Sequence, residues 1–301
     1  MHTNLRIGMI GLDTSHCEAF TKLLNDPSHP FHVPGGKIEV AYAGGSPDLE
    51  VSYSRVDKIT AALRDEHGVE ILSTPEEVAE KSDAIFLTAV DGRVHLDLFQ
   101  RIVKFRKPTF IDKPFAVTTD EAKQMFELAK AYNVPLMSAS AIRFSENLQN
   151  NLTDKGSGDV IGADCFGPMN IQPKLPGLYW YGIHSIDVLY RIMGKGCKQV
   201  TSTTNEDYEY VIGVWEDGRI GTVRGNRKGN KLFGASIHRE SETDFIYATK
   251  QEKPIYAGLV EDALNLFKTG KASIEPEETI EVIRFIEAAN ESRETGKSVH
   301  L

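Results

Sequence analysis

Lys113 stands between an acid and a proline at the end of a short apolar run, Pro108-Thr109-Phe110-Ile111-Asp112-Lys113-Pro114. Proline keeps the preceding residue out of helical backbone, so Lys113 is expected in extended geometry at the carboxyl end of a strand. That is where open α/β sheets bind ligands, although a lysine on an ordinary turn would read the same way. A second cluster lies in Tyr179-Trp180-Tyr181-Gly182-Ile183-His184-Ser185-Ile186-Asp187-Val188-Leu189-Tyr190-Arg191-Ile192-Met193-Gly194. His184, Asp187 and Arg191 fall on one helical face at i, i+3 and i+7, opposite an apolar stripe of Ile183, Ile186, Leu189 or Tyr190, and Met193. An imidazole relays protons near neutrality, and a fixed cation favours a developing alkoxide; together they suit chemistry at a hydroxyl-bearing carbon. A surface helix with an Asp187–Arg191 pair, worth roughly a few tenths of a kcal/mol, is the competing account. Arg143 follows a strand and either holds a substrate carboxylate or hydroxyl or is structural.

The elements that must position these residues alternate. Leu5 to Ile10, Ile38 to Ala43, Ala84 to Ala89, Thr109 to Ile111 and Pro135 to Ser138 read as strands, with helical periodicity between them, the pattern of a parallel sheet. Ser73-Thr74-Pro75-Glu76-Glu77 and Thr119-Asp120-Glu121-Ala122 carry helix-start signals. The unusual polar residues cluster just past the strands: Gly11 to His16, Gly44-Gly45-Ser46, Asp91 to His95 and Asp112-Lys113. All are expected to line one crevice. In Gly8-Met9-Ile10-Gly11-Leu12-Asp13-Thr14-Ser15-His16 only Gly11 holds a clear position of the dinucleotide fingerprint. Asp13, Thr14 or Ser15 can cap the next helix, and the Thr14 and Ser15 hydroxyls with backbone amides could hold a phosphate. An ionised Asp13 would repel that phosphate unless it points away. The acid expected after the second strand is replaced by Gly44-Gly45-Ser46, and Asp48 comes slightly late. Ser46 with Arg55 could receive a 2′-phosphate, or both belong to a solvated loop.

The second half begins near the polar stretch Asn147 to Gly158. Tyr208 to Trp215 and Arg219 to Val223 flank Asp217-Gly218, a hairpin signal of the type I′ kind. Ala235 to His238 and Phe245 to Ala248 add candidate strands. A final helix over about Glu277 to Arg293 buries Ile280, Ile283 and Ile286 and stops at Gly296. The fold class expected is α/β: a doubly wound Rossmann sheet over 1–142, then an α+β domain over 143–301 with a predominantly antiparallel open sheet. The last helix is left open to pack back toward the first domain.

Composition narrows the function classes. The 301 residues are 41% hydrophobic, enough for two cores, and a net charge of −9 argues against nucleic acid or an anionic membrane as partner. Cys17, Cys165 and Cys197 are odd in number and widely spaced, without metal-ligand spacing, as in a reduced cytoplasmic protein that binds no metal. The start, Met1 to Arg6, lacks a signal-peptide hydrophobic region, and no apolar run is long enough to span a bilayer.

These motifs together resemble the glucose-fructose oxidoreductase, inositol dehydrogenase and rhizopine catabolism family, Gfo/Idh/MocA, over nearly the whole length. The resemblance rests on His16-Cys17-Glu18-Ala19-Phe20, Ser82 to Ala89 with Asp91 to His95, Ile111 to Ala116, Arg143-Phe144, Gly182 to Asp187 and Ile286 to Ser292. It implies NAD- or NADP-linked oxidation or reduction of a sugar-like or cyclitol-like small molecule by a homodimer or homotetramer. By this likeness Lys113 lies near the nicotinamide and the substrate hydroxyl, and His184 matches the family's acid or base. The cofactor set is Gly11, Leu12, Asp13, Thr14, Ser15, His16, Ser46, Thr88, Ala89, His95, Asp112 and Lys113; Arg143, Trp180 and Asp187 fall to substrate. Trp180 occupies the position where many members carry an aspartate one turn before the histidine. Tyr181 or Tyr179 could supply a replacement hydroxyl, or the aromatics form packing or a sugar-stacking wall. A catalytically degenerate binding protein, and nicotinamide-assisted elimination or glycoside cleavage without net redox, stand as alternatives.

Overall fold

A computed structural model of the protein describes residues 4–153 and 156–301; Met1 to Thr3, and Asp154 and Lys155 of the polar boundary stretch, lie outside them. The chain divides into two compact units, Met1–Ala139 with Tyr256–Pro276, and Ser140–Ile255 with Glu277–Leu301.

The first unit is built on six parallel strands, β1 (Leu5–Ile10), β2 (Gly36–Tyr42), β3 (Glu70–Leu72), β4 (Ala84–Leu87), β5 (Thr109–Ile111) and β6 (Leu136–Ser138). Their order is β3-β2-β1-β4-β5-β6, that of a dinucleotide-binding doubly wound sheet. The central strands are apolar without alternation, because helices cover both faces: Ile7, Met9, Ile10 and the whole of β4 are fully buried. Each such side chain contributes on the order of 1.5–3 kcal/mol by leaving water. Around the sheet lie α1 (Ser15–Asn25), α2 (Glu50–Tyr53), α3 (Val56–His67), α4 (Pro75–Lys81), α5 (His95–Ile102) and α6 (Thr119–Tyr132). Thr74 caps α4 in a full capping box with Glu77, as its spacing predicts. For α6 the cap is Thr118, one residue before the expected Thr119. Strand β3 is not among the expected strands: three half-exposed residues at a sheet edge carry too little periodicity to read.

The second unit holds a seven-stranded sheet in the order β12-β11-β7-β10-β9-β8-β13. Its strands are β7 (Val160–Pro168), β8 (Cys197–Thr204), β9 (Tyr208–Trp215), β10 (Ile220–Asn226), β11 (Gly234–Arg239), β12 (Thr243–Tyr247) and β13 (Val299–His300). Among the described residues only β7 and β10 run parallel; the other pairs are antiparallel. The hairpin between β9 and β10 forms where expected, but its turn is not type I′. Gly218 alone has positive φ (88°), and its amide donates to the Trp215 carbonyl, the pattern of a three-residue loop ending in a left-handed residue. Strands β7, β8 and β13 are not marked by the sequence pattern, since their glycines and small polar residues blur the alternation.

The remaining helices are α7 (Glu146–Thr153), α8 (Gly182–Met193), α9 (Ile255–Thr269) and α10 (Pro276–Thr295). Helix α8 ends at Gly194, whose amide donates to the Tyr190 carbonyl. The last helix packs on the second unit's own elements, through Phe285 against Tyr190 and the Ser292 hydroxyl, which accepts the Ser202 amide. It is most of α9 that groups with the first unit, where Phe267 meets Phe86 and Tyr256 meets His16. Among the described residues no helix is long and apolar enough to cross a membrane.

Candidate active site

In the first unit the loops after β1, β4 and β5 are tied into one polar cluster. Gly11 turns the chain out of β1 with φ of 91°, and a Cβ there would lie 2.4 Å from the Ala89 amide nitrogen. Only glycine fits, for both conformational and steric reasons. The Gly11 and Leu12 amides donate to Tyr42 and Ala43, and Thr88 donates to the Gly11 carbonyl (2.7 Å). Thr14, not Asp13, caps α1, with Ser15 exposed at its first position.

Asp13 is turned inward instead. It accepts the Ser52 hydroxyl (2.6 Å) and the Val90 amide (2.8 Å), while burial pushes its carboxyl above the ordinary range against those two bonds. The repulsion that an ionised Asp13 would offer a phosphate is thereby directed away from the start of α1 and reduced. Ser46 is also buried, and its amide donates to the same Ser52 hydroxyl (2.7 Å). Asp48 is bound to Arg93 (3.0 Å), which also grips Asp91 (2.8 Å). Burial works to raise the Asp91 carboxyl, but Arg93 holds it below the usual range. The ring nitrogens of His95 face the carbonyls of Ala89 (2.7 Å) and Phe115 (3.1 Å), joining the β4 loop to the chain beyond Pro114.

At the end of β5, Asp112 and Lys113 are both buried, the lysine only 7% exposed, and the Lys113–Pro114 peptide is cis. His16 Nδ1 lies 2.6 Å from Asp112 Oδ2. Burial tends to raise the Asp112 carboxyl, yet His16 and Lys113 outweigh it and hold the group below its ordinary value. Burial pulls the Lys113 ammonium down; Asp112 opposes this and Arg55 adds to it. A cation at the carboxyl edge of the parallel sheet is thus easier to deprotonate than a surface lysine.

The second unit gathers the other residues. Asp187 on α8 is buried and does not pair with Arg191, whose guanidinium donates to Gln149 instead (2.7 Å). Its Oδ1 accepts Arg143 (2.9 Å) and its Oδ2 accepts the Ser140 amide (2.8 Å). Arg143 also binds Glu278 at the start of α10. Burial raises the Asp187 carboxyl against Arg143 and the Ser140 amide. These charges are committed to holding the Ser140 turn against α8.

His184 Nδ1 lies 2.7 Å from Ser140 Oγ, and its ring is flanked by Tyr181 and Phe233 at 5.7 and 5.5 Å between centroids. Tyr181 and Trp180 are half-buried with their rings edge to face, whereas Tyr179 is in the core and its hydroxyl donates to the Ile283 carbonyl. Ser140, Ser52 and Arg93 belong to these clusters although the sequence does not single them out. Ser140 follows a strand and precedes Arg143, which is the one signal in the sequence that points to it.

The strand order β3-β2-β1-β4-β5-β6 with a glycine turn after β1 is the architecture of a doubly wound dinucleotide-binding fold. Residues 5–140 match the model of the GFO_IDH_MocA oxidoreductase family, NAD-binding Rossmann fold. Comparison of the sequence with curated proteins finds no match. Among solved structures the fold is similar to a putative myo-inositol dehydrogenase from Sinorhizobium meliloti, with TM-score 0.81, 14% identity and 99% of each chain covered. It is similar to the same extent (0.81, 14%, 99% of each chain) to scyllo-inositol dehydrogenase from Lactobacillus casei with bound NAD(H) and scyllo-inositol. An oxidoreductase from Agrobacterium radiobacter in complex with NAD+, L-tartaric acid and magnesium gives 0.76 at 16% identity, covering 99% of this chain and 98% of that one. At such identities the likeness is one of fold.

Proposed function

We propose that the protein is an NAD(P)-dependent oxidoreductase that moves a hydride between nicotinamide and the hydroxyl-bearing carbon of a sugar-like or cyclitol-like substrate. On this proposal it acts in the cytoplasm as a homodimer or homotetramer. The observation that carries the reading is Lys113, a buried cation at the end of β5 on the same sheet edge as the Gly11 turn and the start of α1. A dinucleotide fits what is there: Gly11 lets the turn out of β1 pack directly on the Ala89 backbone, and the Asp13 carboxylate is held by Ser52 and the Val90 amide. The stretch from Gly11 to His16, with Ser46, Thr88, Ala89 and His95, would hold the cofactor. When bound, nicotinamide accepts or returns the hydride.

Lys113 stabilises the alkoxide as a cation, and its lowered proton affinity suits it to take or return the hydroxyl proton. In the second unit His184, with Tyr181 beside it, is the candidate acid or base. Trp180 and Tyr181 offer aromatic faces to a sugar ring, and Arg143 and Asp187 shape that region by holding Ser140. The test is a fluorescence titration with NADH and NADPH, followed by turnover on polyols. Binding of either cofactor at sub-millimolar concentration is expected, and Lys113→Ala should lower turnover by about 10²-fold or more. Absence of binding at millimolar cofactor defeats the proposal; binding without turnover on any polyol would favour a ligand-binding scaffold.

A further inference from the structure

His16 and Asp112, 96 positions apart in the chain, form a buried imidazole–carboxylate pair inside the first unit. His16 is the second residue of α1 and Asp112 follows β5, so both stand at the carboxyl edge of the parallel sheet, where doubly wound folds take their ligands. The 2.6 Å contact between His16 Nδ1 and Asp112 Oδ2 fixes where the ring carries its hydrogen. His16 and Lys113 hold the Asp112 carboxyl in its ionised form against burial, and an ionised carboxylate has no hydrogen to give. Nδ1 is therefore the donor, and in the neutral ring Nε2 is left as a bare acceptor. Among the described residues Nε2 has no hydrogen-bond partner, and it is not sealed away, since the side chain keeps 9% of its surface open. Tyr256 and Phe20 hold the ring plane, with centroids 4.8 and 5.7 Å from that of the imidazole.

We propose that His16 is a further catalytic residue, a base oriented by Asp112 whose Nε2 takes the proton of the reacting hydroxyl as hydride passes to nicotinamide. The inference deepens the proposed redox reaction and rests on it. In the oxidation direction the O–H bond breaks and an N–H bond forms at Nε2. The carbon gives its hydride to NAD(P)+, the oxidant, and is left as a carbonyl; reduction returns the proton from Nε2–H. The imidazolium formed in this step lies against a carboxylate that is already ionised, which stabilises it without taking the proton itself. Without such a partner, a buried imidazole resists becoming charged. Lys113, next to Asp112 in the chain, supplies the cation for the alkoxide in either direction. A tie between α1 and β5 is the competing account of the pair, but a tie uses Nδ1 alone and asks nothing of Nε2.

The two accounts part in His16→Gln, which keeps an N–H for Asp112 but cannot take up a proton. With kcat for polyol oxidation measured at saturating cofactor, His16→Gln is expected to fold and to lose about 10²–10³-fold. His16→Ala should lose as much and regain about tenfold or more when imidazole is added to the assay. A kcat for His16→Gln within about fivefold of wild type shows a mere tie and overturns the proposal, as does a His16→Ala enzyme that imidazole does not accelerate. Should neither variant fold, the wild-type protein decides, through long-range ¹H–¹⁵N spectra of ¹⁵N-histidine-labelled material at about pH 9, where imidazole is neutral. The His16 resonances, identified by their ring-proton contacts to Tyr256 and Phe20, are expected to show a protonated Nδ1 and a bare Nε2. A protonated Nε2 with a bare Nδ1 defeats this inference alone. Failure of the broader redox reading shows separately, as absence of NADH and NADPH binding, or binding without turnover of any polyol, with the tautomer as expected; it takes this inference with it.

Discussion

At the scale of single residues, burial decides what each charged group can do. Asp112 is buried between His16 and Lys113 with its carboxyl held low, so its charge is part of the folded state. Replacing it by Asn keeps the shape but removes the charge that faces two cationic or protonatable groups. Asp112→Asn is expected to lose about 1.5–3 kcal/mol of stability at pH 7, read as a lower urea midpoint at unchanged slope. It should also raise the fraction of deprotonated Lys113, because the carboxylate is the group that opposes burial there. The visible consequence is a basic limb in kcat that moves to lower pH; an unmoved limb would remove Lys113 from proton transfer.

At the scale of elements, the turn from β1 into α1, where the proposed function puts the nucleotide, tolerates little. Gly11→Ala meets the Ala89 backbone and a φ that alanine rarely adopts, and is expected to cost on the order of 3 kcal/mol or more. Thermal unfolding will show it as a fall of several degrees, and NADH affinity should fall with it. The capping box that starts α4 lies away from the chemistry. Thr74→Ala should cost about 1 kcal/mol in the same assay and leave cofactor affinity within error. A loss of affinity in Thr74→Ala equal to that in Gly11→Ala would mean that general destabilisation, not the turn, governs binding.

At the scale of the whole molecule, buried carboxylates set the acid limit. Asp112 and Asp91 have folded-state proton affinities below their ordinary values, so the stability they contribute is complete above the ordinary carboxylate range. It is lost as pH falls through their folded values. Asp13 and Asp187 are shifted upward, so their share has the opposite sign and declines as pH rises past the ordinary range. Urea midpoints measured between about pH 6 and pH 3 should fall, and Asp112→Asn should fall less steeply than wild type. Parallel curves for the two proteins would show that other groups govern acid unfolding.

Much of this is legible in the sequence because it depends on local pattern. Continuous apolar runs mark five of the six parallel strands, Thr74-Pro75 marks a helix start, and the proline after Lys113 marks a strand end. Periodicity and backbone restriction act over a few residues, so a window of sequence contains them. The partners of charged groups are not legible. Helical spacing puts Asp187 beside Arg191 one turn away, yet it lies against Arg143, and His184 is held by Ser140 from 44 positions earlier in the chain. Asp13 is a capping candidate by spacing, and the fold turns it toward Ser52 and Val90. Five of the six parallel strands and the residue types at each loop belong to the amino-acid sequence. Which hydroxyl meets which imidazole, and which way a carboxylate faces, only the tertiary structure decides, because desolvation and hydrogen bonding between distant segments outweigh local spacing once the groups are buried.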